Sequence, residues 1–409
     1  MEFWIPYGET EIPVRVSDDN FYRILEPAKP PNSKDPTVQV SEALENPVGE
    51  VSLEDMVKPG GLAGIIVDPI VPSEIRRMAV QILTSRLNTA GVNETRVFLR
   101  KRLSSPTSPQ VPSVEDPFRV LDPTTGIYTE IGKTSFGTSV NVEQELMSCG
   151  IRISIGMVLP HFASGFTGGP ELVLPGASSI QTITKNRSLL MKSPSTPLTL
   201  TDNHVLSDSL EAYKLAGPFY SICFVPDGLG GIHSTFSGEM ESTYRQAVSR
   251  YLQAHSPKID RRSDIVLISA GRVLGMDLYH AVRVLSNALR AVKNGGTIIL
   301  VAECSKGVGD SSFLDYAKRF RERKDLANEL RYRFKLGGHV NLFLQDILEK
   351  YRVQVVSVLP DLYTRDSFQL KPSRTASEAI QKAVRAEGRD SKIIIISRGD
   401  LTLPAVELV

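Results

Sequence analysis

The chain has 409 residues, of which 41% are hydrophobic and 23% are charged, and its formal net charge at pH 7 is +1. This length exceeds the usual size of one hydrophobic core, so the sequence predicts two domains. The composition excludes a disordered chain, and the small net charge gives no general attraction to nucleic acid or anionic membranes. We find no apolar run near the roughly 20 residues that cross a bilayer and no secretory signal. We therefore expect a cytoplasmic protein.

The cysteines and histidines do not predict a metal site. Cys149, Cys223 and Cys304 lie far apart and form no CxxC pair, which indicates small buried side chains. None of the six histidines has HxH or HExxH spacing.

The first half of the chain reads as an N-terminal hairpin followed by an α/β pattern. The hairpin turns at Gly8, and a proline-rich linker begins at Ala28. A strand through Val67, a helix ending near Gly91 and a strand from Arg96 then form a βαβ unit. The pattern continues with a helix over 140–150, strands over 152–159 and 218–227, and a helix over 238–256.

The polar segment 257–264 predicts a boundary, because a second α/β pattern starts after it. Strands are expected over 265–271, 296–304, 352–359 and 392–397, with helices over 276–292, from Ser312 and over 375–388. The sequence therefore predicts two doubly wound, Rossmann-like α/β domains, residues 1–258 and 259–409, with a cleft between them.

Two glycine-containing segments are weak phosphate-binding candidates. Gly132, Lys133 and Thr134 supply G-K-T, but Ile127 stands where a P-loop needs glycine. The loop with Gly307 and Gly309 lacks a complete G-x-G-x-x-G pattern. An ordinary turn and a tight loop, respectively, explain them better.

The segment from His161 to Gly176, "HFASGFTGGPELVLPG", is the strongest candidate site. It follows a strand end, where α/β sheets place their ligands. Histidine titrates near neutrality, so His161 is a candidate general acid or base. A hydrogen-bonded structural histidine is the alternative.

This segment resembles the nickel-dependent lactate racemase family, whose pattern is His-Phe-Phe-Ala-Gly-Phe-Ser-Gly-Gly-Arg-Lys-Ser-x-Leu-Pro-Gly. The similarity continues through "ASSIQTITKNR", "GGTIILVAECSKGVGD" and "ASEAIQKAVRAEG", and so covers nearly the whole chain. The resemblance implies two α/β domains with a cofactor in the cleft. It places Gly165, Gly168 and Gly169 in the glycine scaffold that binds this cofactor.

The chemistry that the resemblance implies uses a lysine-tethered pyridinium nucleotide that carries nickel in a sulfur and carbon pincer. The cofactor takes a hydride from the α-carbon of a 2-hydroxy acid while a histidine removes the hydroxyl proton. Return of the hydride to the other face inverts the centre.

This chain departs from the family at the cofactor positions. Glu171 stands where the family has the tether lysine, and it cannot form the same link. Arg187, after Asn186, stands where the family has the nickel-binding histidine. Because arginine is a permanent cation and a very poor metal donor, retention of the nickel-pincer nucleotide is in doubt. We expect Glu171 and Arg187 to pair instead, with their charged ends within about 6 Å of each other.

The substrate positions also differ. Ser104 replaces the family's first acid/base histidine, Arg283 replaces its lysine, and Met276 lies near its glutamine. Only His161 and the glycine scaffold are retained.

Three functions remain open at this point. The chain is either a 2-hydroxy-acid racemase or epimerase with altered or lost nickel chemistry, or a different enzyme that uses His161 with another cofactor or none. The third function is that of a non-catalytic relative that binds a nucleotide, a small acid or a protein partner in the interdomain cleft.

Overall fold

The computed structural model describes residues 1–28, 34–49, 51–101, 118–192 and 200–407. Its contacts divide the chain into two compact units. The central unit contains the described residues of 34–101 and 118–253, and the terminal unit contains residues 1–28 and 254–407. The predicted division at 258 therefore differs from the observed grouping, because the first 28 residues belong with the C-terminal part of the chain.

The strands and helices of the described residues are as follows, in chain order. The strands are β1 (Glu2–Tyr7), β2 (Thr10–Arg15), β3 (Phe21–Leu25), β4 (Leu62–Val67), β5 (Glu94–Arg100), β6 (Arg119–Leu121), β7 (Tyr128–Lys133), β8 (Ser139–Glu143), β9 (Ile151–Met157), β10 (Pro160–His161), β11 (Gly165–Phe166), β12 (Tyr220–Pro226), β13 (Ile232–Glu239), β14 (Lys258–Ile259), β15 (Ser263–Ser269), β16 (Val292–Val301), β17 (Arg352–Val356), β18 (Lys371–Ser373), β19 (Ile393–Ile396) and β20 (Ala405–Val406). The α-helices are α1 (Pro36–Glu45), α2 (Ser73–Thr89), α3 (Gln144–Ser148), α4 (Ile180–Ser188), α5 (His204–Ala216), α6 (Met240–His255), α7 (Gly271–Leu274), α8 (Leu278–Ala281), α9 (Leu285–Ala288), α10 (Ser311–Arg319), α11 (Arg323–Tyr332), α12 (Gly338–Leu348) and α13 (Ala376–Glu387).

The central unit is built on a six-stranded sheet of order β13-β12-β9-β4-β5-β6. All of its pairings are parallel except that of β12 with β13. Strands β9 and β12 are almost completely buried, as expected for parallel strands covered on both faces. This sheet positions the segment that follows β9, and that segment contains His161.

The terminal unit has its own six-stranded sheet, of order β18-β17-β16-β15-β19-β3, with parallel pairing throughout. Its edge strand β3 comes from the N-terminus and pairs with β19, near the other end of the chain. The hairpin β1–β2, whose turn contains Gly8, and helix α13 pack on the sheet and share its core. These pairings explain why the first 28 residues belong to this unit.

The parallel α/β architecture confirms the predicted fold class, whereas several local predictions need correction. The helix predicted over 140–150 is strand β8 followed by the short helix α3. Val140 and Val142 are both buried, and this two-residue period is that of a strand. The helix predicted over 276–292 is divided into α8, a 3₁₀ turn (Val282–Val284) and α9. Gly132 and Lys133 end strand β7, so they form no P-loop.

Candidate functional site

A glycine-rich hairpin and turn follow strand β9 in the central unit. Strands β10 and β11 pair His161 with Gly165, and a 3₁₀ turn (Gly169–Leu172) comes next. Gly168 and Gly169 have φ values of 86° and 49°, in the left-handed region that favours glycine. A Cβ atom on Gly169 would lie 2.6 Å from Cβ of Tyr244, so helix α6 also requires a glycine here.

The imidazole of His161 is buried, and its Nδ1 faces hydrogen-bond donors. The backbone N–H groups of Ala163 and Ser164 donate to Nδ1 at 3.3 and 3.2 Å. The Ser164 hydroxyl oxygen lies 2.9 Å from the same nitrogen. Because a backbone N–H can only donate, Nδ1 must accept, and the neutral ring carries its proton on Nε2. Neutral His161 is therefore a donor at Nε2, which suits a group that donates a hydrogen bond to a ligand oxygen.

Glu171 and Arg187 form a buried ion pair in the same unit. Arg187 Nη2 donates to Glu171 Oε1 at 2.8 Å, and the two side chains are only 7% and 2% exposed. The predicted pairing within about 6 Å is confirmed. The pair places one positive and one negative charge together, so the two positions contribute no net charge to the site.

A chain of buried hydrogen bonds extends from this ion pair. Arg187 Nη1 donates to Asn186 Oδ1 at 3.1 Å, and Asn186 Nδ2 donates to Asp208 Oδ2 at 2.9 Å. Thr134 and Thr138 also donate to the Asp208 carboxylate, at 2.6 and 3.0 Å. Each polar group in this network has a partner, as buried polar groups require.

Sequence reasoning missed Asp208, Thr134 and Thr138. Asp208 lies in helix α5, and the two threonines lie in the turn between strands β7 and β8. Thr134 belonged to the rejected G-K-T motif, and no local spacing links it to Asp208. Only the packing of helix α5 against the β7–β8 hairpin brings these residues together.

Tyr244, on helix α6, is completely buried beside the same turn. Its hydroxyl donates to the Phe166 carbonyl at 3.2 Å. Burial raises the pKa of the Tyr244 phenol well above its ordinary value, and the nearby negative charge of Glu171 raises it further. Tyr244 thus stays protonated at neutral pH and stabilises the glycine-rich turn.

The side chains at the cofactor positions do not fit the nickel-pincer nucleotide. A carboxylate at Glu171 has no amine to join to the cofactor. Arg187 is occupied by Glu171 and has no lone pair to offer a metal. Within the described ranges, no group of three or more His, Cys, Asp or Glu side chains could hold a metal ion.

The predicted substrate residues are less informative. Ser104 lies outside the described residues. Arg283 belongs to the terminal unit, in the 3₁₀ turn after helix α8, and is half-buried. Met276 lies just before that helix, and its carbonyl accepts from the Lys306 backbone N–H at 2.8 Å.

Two family models match this chain in sequence order. The model of the lactate racemase N-terminal domain matches residues 7–100 and 120–198, and that of the C-terminal domain matches residues 259–401. The chain belongs to the lactate racemase family. The predicted resemblance is thereby confirmed.

Named relatives of the family match nearly the whole chain. A lactate racemase of Thermoanaerobacterium thermosaccharolyticum is 25% identical and one of Lactiplantibacillus plantarum is 26% identical, each over 97% of both chains. The structure of the lactate racemase apoprotein from T. thermosaccharolyticum matches with a TM-score of 0.86 at 24% identity, over 99% of this chain and all of that one. A Thermotoga maritima protein matches with a TM-score of 0.66 at 14% identity, over 93% of this chain and all of that one. The last two likenesses concern the fold alone.

None of the described helices combines the length and apolar character that crossing a bilayer requires.

Proposed function

We propose that this protein is a lactate-racemase-like member of the 2-hydroxy-acid racemases and epimerases in which the nickel-pincer chemistry is altered or lost. Its ligand is a small 2-hydroxy acid. The observation that carries this proposal is the buried pair of Glu171 and Arg187, 2.8 Å apart. The sequence resemblance assigns these two positions to the family's tether lysine and nickel-binding histidine.

The ion pair makes binding of the family's cofactor energetically unfavourable. Separating a buried carboxylate from its guanidinium partner to admit a cofactor would leave two desolvated charges, at about 3–5 kcal/mol. The remaining bonds of Arg187 and Asn186 hold the pair in place. A nickel nucleotide bound in the family manner would have to disrupt this network.

The retained loop supports recognition of an oxygen-rich ligand. His161 presents a donor at Nε2 in its neutral form, because its Nδ1 already accepts hydrogen bonds. A carboxylate or hydroxyl oxygen of a 2-hydroxy acid is a suitable acceptor for such a donor.

The first experiment measures cofactor content. The full chain is purified from cells that supply the nickel nucleotide, and its nickel content and intact mass are determined. We expect no stoichiometric nickel and no added mass. The matched control is the double variant Glu171→Lys, Arg187→His, which restores both family side chains. Stoichiometric nickel with a nucleotide adduct on the unmodified chain would contradict the proposal.

The second experiment measures ligand binding by calorimetry with L-lactate and D-lactate, and turnover by chiral chromatography. We expect binding that is about tenfold weaker in His161→Gln, which corresponds to the loss of one hydrogen bond of about 1.4 kcal/mol. Racemisation of lactate at the family's rate would contradict altered chemistry. Absence of binding would reject the 2-hydroxy acid as ligand.

A second candidate function is a non-catalytic relative that binds a nucleotide, another small acid or a protein partner. The complete pairing of Arg187, Asn186 and Asp208 favours it, because this network serves stability without any ligand. Binding without turnover of any 2-hydroxy acid tested would support this candidate.

A further inference from the structure

A second histidine, His280 in the terminal unit, lies against a buried carboxylate. His280 Nδ1 is 2.9 Å from both Oδ1 and Oδ2 of Asp277. The side chains of His280 and Asp277 are 10% and 5% exposed. Because an ionised carboxylate only accepts, Nδ1 carries the proton and Nε2 has the lone pair. This is the orientation in which a carboxylate holds an imidazole as a base.

The pair lies where an α/β sheet places its ligands. Asp277 follows the carboxyl end of strand β15, and the loop after strand β16 folds back onto the same segment. In that loop the carbonyls of Gly307 and Val308 accept from the backbone N–H groups of Leu278 and Tyr279, at 3.2 and 3.0 Å. Carboxyl ends of parallel strands are the usual position of binding sites in such sheets.

Close packing of this loop fixes the carboxylate. Gly309 has a φ of 95°, and a Cβ atom there would lie 2.5 Å from Asp277 Oδ1. Asp277 Oδ1 also accepts from the His280 backbone N–H at 2.9 Å, which makes Asp277 the N-cap of helix α8. A cap alone needs only that backbone bond, so the contact of both carboxylate oxygens with the ring is an additional feature.

The groups around His280 stabilise its imidazolium form, which is the form that a base adopts after it takes up a proton. Asp310 and Cys304 also interact with Asp277, Glu303 interacts with Cys304, and Lys335 interacts with Asp310. Burial raises the pKa of the Asp310 carboxyl and of the Cys304 thiol, and the charge of Asp277 adds to both rises. In the described part of the chain, His280 is the one ion-pair partner of Asp277. A proton gained at Nε2 therefore creates a cation beside a buried carboxylate, which stabilises it.

We propose that His280 is a general base for a hydroxyl group of a small ligand bound by the terminal unit and that Asp277 is its positioning residue. The ligand's O–H bond breaks, its electron pair stays on the oxygen, and the proton forms a bond to Nε2. Asp277 stabilises the resulting imidazolium, and the reverse step returns the proton. The ligand class, a hydroxyl-bearing small acid, rests on the proposed function. The protonation state of the dyad formed by Asp277 and His280 does not.

The first test determines the ring protonation of the full chain labelled with ¹⁵N-histidine, by two-dimensional NMR at a pH where the ring is neutral. His280→Gln assigns the signals, and His233→Gln is the matched control that leaves them unchanged. We expect His280 to show a protonated Nδ1 and a bare Nε2. A protonated Nε2 on neutral His280 would overturn the proposal.

The second test is a pH titration of the same signals in Asp277→Asn, which keeps the cap but removes the charge. We expect the titration midpoint of His280 to fall by about one pH unit or more. An unchanged midpoint, with the circular dichroism of the folded chain retained, would show that Asp277 does not act on the ring.

The third test adds L-lactate and D-lactate as probes. We expect the Nε2 signal of His280 to shift on binding, and His280→Gln to weaken binding about tenfold. Calorimetric binding without any change at His280 would overturn the role as base. If neither lactate binds, the proposed ligand class fails, and the first two tests still decide the state of the dyad.

Discussion

Each unit contains a buried carboxylate with a basic partner, but the two partners differ in kind. In the central unit, Glu171 pairs with Arg187, and a guanidinium is a permanent cation in proteins. In the terminal unit, Asp277 pairs with His280, and an imidazole can gain and lose a proton. An arginine–carboxylate pair does not exchange a proton with a ligand and stabilises the fold. A carboxylate beside an imidazole can support proton transfer.

The buried histidines His161 and His280 differ in the same way. Nδ1 of His161 accepts hydrogen bonds from backbone N–H groups, whereas Nδ1 of His280 faces a carboxylate. The neutral rings therefore carry their protons on opposite nitrogens. His161 is a donor at Nε2 and His280 is an acceptor there, so the same residue type has two chemical roles that its neighbours decide.

The largest expected effect on stability comes from breaking the ion pair of Glu171 and Arg187. Glu171→Gln should lower the free energy of unfolding by about 3–5 kcal/mol, because Arg187 remains buried without a counter-charge. Urea unfolding followed by circular dichroism measures this loss. The double variant Glu171→Gln, Arg187→Met is the control and should recover most of it. A single-variant cost below about 1 kcal/mol would mean that the pair is not buried as described.

Breaking the pair of Asp277 and His280 should lower the free energy of unfolding less than breaking the pair of Glu171 and Arg187. Asp277→Ala removes the helix cap and the partner of the His280 ring, so we expect a loss of about 2–3 kcal/mol in the free energy of unfolding. Asp277→Asn keeps a capping oxygen and separates the two contributions. Equal losses in the two variants would assign the whole effect to the charge and none to the cap.

Removing one donor from His161 should have a smaller effect. Ser164→Ala is expected to cost about 1 kcal/mol, because one buried hydrogen bond is lost. The ring should keep its proton on Nε2, since the two backbone N–H groups remain. Histidine NMR measures the protonation.

The matched control for this variant is Ser178→Ala. Ser178 is also buried in this region and donates to the Val173 carbonyl at 2.7 Å. It should cost a similar amount of stability without altering the His161 signals. A move of the proton to Nδ1 in Ser164→Ala would show that the hydroxyl, and not the backbone, decides the state of the ring.

The smallest effect concerns a third histidine, His233 on strand β13. Burial, together with the nearby Arg250 cation, lowers the pKa of His233 below its ordinary value of 6.5. At pH values near the two pKa values, the unfolded chain then binds more protons than the folded chain. The contribution of His233 to stability is therefore complete above pH 6.5 and is lost as the pH falls toward the folded-state pKa. His233→Gln should remove this slight slope between pH 7 and pH 5, as measured by urea unfolding; an unchanged slope would assign it to other groups.

The sequence predicted the fold class because long apolar runs and helical periods are local signals. The runs that became β9, β12, β15 and β19 are buried on both faces and needed no knowledge of their neighbours. Local signals failed for the helix predicted over 276–292. It begins only at Leu278, where the loop after β16 bonds to it, and the 3₁₀ turn Val282–Val284 interrupts it. The spacing of Asp277 and His280, three residues apart, is a local signal of a helix start.

The sequence by itself predicted the family, and its resemblance to the family pattern singled out Glu171 and Arg187. Only the tertiary structure decided what those side chains do, because their 2.8 Å contact joins the 3₁₀ turn to helix α4, and Asp208 reaches the same network from helix α5. It also decided that strand β3 joins β19, across nearly the whole length of the chain. Such pairings depend on which surfaces fold together in three dimensions, and no period or spacing along the chain encodes them.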